Sequence, residues 1–72
     1  LIRGAQLETI AKRYMDTVLA WCRAQGYTAF DLLILLDVPS RIFSTVYERD
    51  YGLARVGAED WDANTGRWRM VL

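Results

Sequence analysis

The only proline, Pro39, limits what this 72-residue chain can fold into more than any other residue. It has no amide hydrogen to donate, and its ring pushes Val38 out of helical geometry. The apolar run 32–36 must therefore stop near Leu36 or Asp37. Whatever follows starts at Pro39 or Ser40, where proline suits a first helical turn.

Before the break, residues 6–25 predict a first helix. Leu7, Ile10, Ala11, Tyr14, Val18, Trp21 and Cys22 recur at three- and four-residue steps, the period of one buried helical face. Glu8, Lys12, Arg13, Asp16 and Arg23 fill the other side, and Gly26 supplies a left-handed stop. A second helix is predicted over 29–37. Thr28 followed three residues on by Asp31 fits a capping pattern, and the run 32–36 is apolar almost all round. A buried strand is the competing reading of five such residues; the cap, and Ile34 as the only β-branched residue among them, favour helix.

After the break, Ile42, Phe43, Val46, Tyr47 and Tyr51 mark the buried side of a third helix over 40–51, ended by Gly52. Residues 53–56 read as a short strand with Gly57 as its exit. Residues 58–72 read as a β-hairpin turning through a 63–66 loop with Gly66 left-handed. That register sets Asp62 opposite Arg67, Trp61 opposite Trp68, and Asp60 opposite Arg69. The expected architecture over 1–72 is one α+β domain, mostly helical, with a three-helix core and a C-terminal β-hairpin.

Composition narrows the function. At 53% apolar residues, with three Trp, four Tyr and two Phe, the chain is rich enough to fold. The lone cysteine, Cys22, has no internal disulfide partner and reads as a buried helix residue in a reducing cytoplasm. The longest apolar run falls far short of the roughly 20 residues that span a bilayer. Leu1 reads as a processed or trimmed end, and nothing there resembles a secretion signal. There is no histidine, no nucleotide-binding loop and no base beside Cys22 or the serines, so neither an enzyme nor a cofactor or metal is expected. Glu59, Asp60 and Asp62 do not read as a magnesium site, because strand spacing sends alternate residues to opposite faces.

From Thr28 to Leu72 the chain resembles the winged helix-turn-helix family. Leu32, Leu36, Val38, Phe43 and Val46 stand at apolar offsets of its helix-turn-helix pattern, and Val38-Pro39-Ser40 looks like the start of a recognition helix. Leu33 stands where the pattern commonly has alanine, and Asp37 where it commonly has glycine. The resemblance implies a duplex-DNA-binding protein, a small regulator of transcription or replication. Its third helix would enter the major groove with Ser40, Arg41, Ser44, Thr45 and Arg49 on the exposed face. Arg41 would read a base edge, and the wing would lay Asn64, Thr65, Arg67 and Arg69 along the backbone or minor groove.

Charge sets a second expectation beside the first. Nine basic and nine acidic residues cancel, so a DNA surface would have to be a local stripe. The alternative is a protein-interaction or oligomerisation domain. In it the exposed face of the third helix, or the hairpin at Trp61 and Trp68, would meet another chain. A homodimer through the first helix, with Trp21 near its end at the seam, would double the DNA contacts of the first reading. Trp61 and Trp68 also read as lids on the core. Tyr14, Tyr27, Tyr47 and Tyr51 read as core-edge rings with their hydroxyls in water.

Overall fold

The computed structural model describes residues 3–57 and 63–72. The elements run α1 (Gly4–Ala24), β1 (Ala29–Leu35), α2 (Arg41–Tyr51), β2 (Ala54–Gly57) and β3 (Thr65–Val71). The strands form one antiparallel sheet in the order β1-β3-β2. The α+β class holds, but the three-helix core does not: the described residues contain two helices, packed on one face of a three-stranded sheet.

The expected second helix, 29–37, is strand β1. Its burial alternates residue by residue, with Phe30 and Leu32 half-buried and Ile34 buried, while Ala29, Asp31, Leu33 and Leu35 are exposed. Polarity does not alternate with burial, because leucine occupies exposed positions too, and a strand without polar alternation looks like an enclosed helix. Thr28 caps nothing; its carbonyl accepts the Leu72 amide at 2.9 Å. Because a strand rather than a helix leads into the Pro39 break, the helix-turn-helix pair expected over 29–51 is not formed.

Helix α1 ends as its glycine dictates. Gly26 sits at φ 77°, the Tyr27 amide donates to Cys22 O and the Gly26 amide to Arg23 O, both at 3.1 Å. Its buried stripe is Ala11, Met15, Leu19 and Cys22. Of the expected stripe, Ala11 and Cys22 are buried, whereas Ile10, Tyr14 and Trp21 lie one position round the helix and are exposed. The small side chain of Ala11 lets α2 approach there: the Tyr47 hydroxyl, expected in water, is buried and donates to Ala11 O at 3.1 Å. Tyr51 likewise donates to Asp16 Oδ1 at 2.8 Å. Val46, Tyr47, Ile34, Leu53 and Trp68 complete the core.

After β1 the chain turns through Asp37, whose Oδ1 accepts the Ser40 amide at 2.8 Å and opens α2. Gly52, at φ 72°, closes it. The expected hairpin register is not formed by β3. Arg67, Trp68 and Arg69 pair with Leu33, Leu32 and Asp31 on one side, and with Gly57, Arg55 and Ala54 on the other. Asp60, Trp61 and Asp62, their expected partners, lie outside the described residues, as does Glu59. Thr65 and Gly66 belong to β3 rather than to a loop, and Gly66 is not left-handed.

Candidate functional site

The residues expected to bind DNA are divided between opposite sides of the sheet. Trp68 faces the helices, where its indole N–H donates to Glu48 Oε1 of α2 at 2.8 Å. Its neighbours Arg67 and Arg69 must then point to the far face. There they meet Asp31, which accepts from Arg69 at 2.8 and 3.1 Å and lies 3.6 Å from Arg67. The Arg69 hydrogen bonds hold the Asp31 carboxyl below the usual carboxylate range. On α2, Arg49 donates to Glu8 and to Asp50, each at 2.8 Å. Those bonds raise its affinity for its proton, and the Arg49 hydrogen bond draws Asp50 down to about 2.

Of the remaining expected contacts, Thr65 is buried and Ser40 and Ser44 are half-buried, Ser44 donating to Arg41 O at 3.2 Å. Asn64 is exposed, and its carbonyl accepts the Leu36 amide at 2.7 Å. Arg41 and Thr45 are exposed, and among the described residues Arg41 has no ion-pair partner. Arg41 and Arg55 flank a depression over Trp68, with Arg55 stacked 5.4 Å from the ring centroid. Trp68 is 3% exposed, so it lids the core and offers no surface to a partner; Trp61 lies outside the described residues.

A different surface emerges along β1. The amides of Leu36 and Leu72 bond to the carbonyls of Asn64 and Thr28, so even-numbered positions make the hydrogen-bonded pairs with β3. The odd-numbered residues Ala29, Asp31, Leu33 and Leu35 therefore turn their amides and carbonyls to the outer edge. No strand among the described residues covers that edge. Beside it runs a groove of about 380 Å³, walled by Ile10 and Tyr14 of α1 and by Phe43 and Tyr47 of α2.

The two sheet edges differ in a way that bears on use. Strand β2 is short, is bulged between Arg55 and Gly57, and ends in a glycine at φ 108°, features that discourage further pairing. Strand β1 is seven residues long and pairs without a register shift. Its one outward charge, Asp31, is held by Arg67 and Arg69. Of the large apolar side chains left exposed, Ile10, Tyr14, Leu33 and Leu35 share the groove beside β1. Trp21 lies further along α1, Tyr27 and Val38 lie in the turns at the ends of β1, and Val71 lies on β3.

Sequence reasoning missed Leu33 and Leu35 as a site, although the signal was present: apolar residues filling both faces of a short strand. No group of three possible metal ligands occurs among the described residues, and none of their helices is long and apolar enough to cross a membrane. Comparisons with protein-family models, curated proteins and solved structures give no match to this chain, so geometry alone carries the functional reading.

Proposed function

We propose that this chain is a protein-interaction domain that accepts an extended segment of a partner as a fourth strand along β1. The observation behind it is the long, regular, apolar edge with an apolar groove beside it. Strand addition needs outward amides for affinity and pockets for alternate side chains for selectivity. Ala29, Asp31, Leu33 and Leu35 supply the first; the groove under Ile10, Tyr14 and Phe43 supplies the second. Zero net charge suits a protein partner better than a polyanion.

The test is titration with a lysine-flanked peptide of alternating Leu and Thr, followed by amide NMR shifts. Shifts confined to 29–35 and the groove, lost in Leu33→Pro, are expected. Proline at that position removes only an outward amide and leaves the ladder to β3 intact. Shifts elsewhere, or none, would exclude the reading.

Duplex DNA at the exposed side of α2 is a second reading, supported by Arg41 and Arg55 at the depression over Trp68. With two cations the logarithmic salt slope would be about −2, from roughly −0.9 per phosphate. Binding at low salt that Arg41→Ala abolishes would favour it; no binding at low salt would remove it.

A further inference from the structure

We infer that the segment added to β1 is β1 of a second copy of the chain, paired antiparallel about a two-fold axis at Leu32; the inference rests on the strand-addition reading above. A strand fitting this edge must be regular over about seven residues, apolar on both faces and free of net charge. Strand β1 is regular over seven residues and apolar apart from Asp31, whose charge Arg67 and Arg69 of the same copy balance, so the edge is complementary to itself.

A two-fold axis perpendicular to the sheet keeps like faces together. On the helix side of the seam, under Ile10 and Tyr14, Leu32 meets Leu32 and Ile34 meets Phe30; on the outer face Leu35 stands opposite Ala29 and Leu33 opposite Asp31. The two sheets become one of six strands, and the open edge is removed from water.

Charge and strand length select the register. An axis at Asp31 would set two carboxylates opposite each other, which is unfavourable. An axis at Leu33 would leave Ala29 and Phe30 beyond the end of the partner's strand. The axis at Leu32 overlaps all of 29–35, pairs Ala29 with Leu35 and Asp31 with Leu33, and keeps each Asp31 beside its own Arg69.

Size agrees with a modest dimer. A half-exposed aromatic ring shows on the order of 100 Å². The strip from Trp21 and Tyr27 to Val38 therefore comes to roughly 600 Å², at the upper end of what monomers leave open. A standard interface covers about 800 Å² per partner. That is about a sixth of the 5077 Å² surface, which the strip and the β1 backbone together approach.

The experiment is sedimentation equilibrium of the whole chain from micromolar to millimolar concentration. A dimer is expected, with its dissociation constant raised at least tenfold by Leu33→Pro. If the proline variant fails to fold, Leu33→Lys with Leu35→Lys, at exposed positions, gives the same test. In a Cys22→Ala background, Leu32→Cys should cross-link copy to copy under oxidation. Residues opposed at a non-hydrogen-bonded position stand about 4.5 Å apart at Cα, within disulfide range. A dimer unaffected by these edge variants but lost in Trp21→Ala would overturn the inference in favour of a helix seam. A strict monomer that binds the Leu-Thr peptide through Leu33 would overturn self-pairing and keep strand addition. A strict monomer that binds no peptide would overturn both.

Discussion

The indole N–H of Trp68 and the Glu48 carboxylate, 2.8 Å apart, join the middle strand of the sheet to the solvent side of α2. The ring is buried, so Glu48→Ala removes the acceptor of a donor that has little access to water. The expected cost is about 1–2 kcal/mol, with Glu48→Gln losing less because an acceptor remains. Urea denaturation of the three proteins measures both differences.

Gly66 keeps that ring in place by having no side chain. A Cβ there would lie 2.6 Å from Trp68 Cζ3 and 3.0 Å from Leu36 Cδ2, with neither a turn nor a positive φ requiring glycine. Gly66→Ala should therefore destabilise by about 1–3 kcal/mol through overpacking. Gly4→Ala, with open space around its Cβ, should cost nothing. A midpoint for Gly66→Ala equal to the parent's would contradict the packing account.

Stability should fall at both ends of the pH scale. The Arg49 hydrogen bond is the main cause of lowering Asp50 from 3.8 to about 2, and Arg69 lowers Asp31 in the same direction. A depressed carboxylate pKa adds stability above the unfolded value, lost as pH falls through the folded one. Thermal midpoints should thus decline between pH 4 and 2. The effect is small, since these pairs are open to solvent. In the alkaline direction, burial pushes Tyr47 from 10 to about 12. A raised pKa adds stability below pH 10 that is lost as pH rises through 12, so the midpoint should drop across that window. Tyr47→Phe should flatten part of the decline, measured by circular dichroism melts at each pH.

Amide exchange reads the strand register directly. In dilute solution the amides of Leu32, Ile34 and Leu36 should be protected, because they donate into the sheet or to Asn64 O. Those of Leu33 and Leu35 should exchange quickly and slow down as concentration rises. Leu33→Thr with Leu35→Thr should leave stability within about 0.5 kcal/mol, because both positions are exposed.

Local signals were legible where one residue has a single physical use. Gly26 and Gly52 mark helix ends because only glycine enters the left-handed region without a steric penalty, and the Pro39 break lies where its missing amide puts it. The face of α1 was legible only in part: Ala11 and Cys22 are buried as expected, but Ile10, Tyr14 and Trp21 carry the same period one step round, and Met15 and Leu19 are buried in their place. Residues 29–35 were misjudged because leucine occupies both faces. The excess apolarity that made the segment resemble a helix is the feature that makes its edge a candidate binding surface.

The sequence by itself determined where segments start and stop, since glycine, proline and hydrophobic spacing act within a turn or two of the backbone. It also determined that the net charge is zero, so any charged surface has to be local. Tertiary structure decided that 29–35 is a strand, because its amides find partners only in β3, more than thirty residues away in the chain. It likewise decided that Arg67 and Arg69 turn away from α2, since the direction of a strand side chain is fixed by register, and register is a property of two strands together.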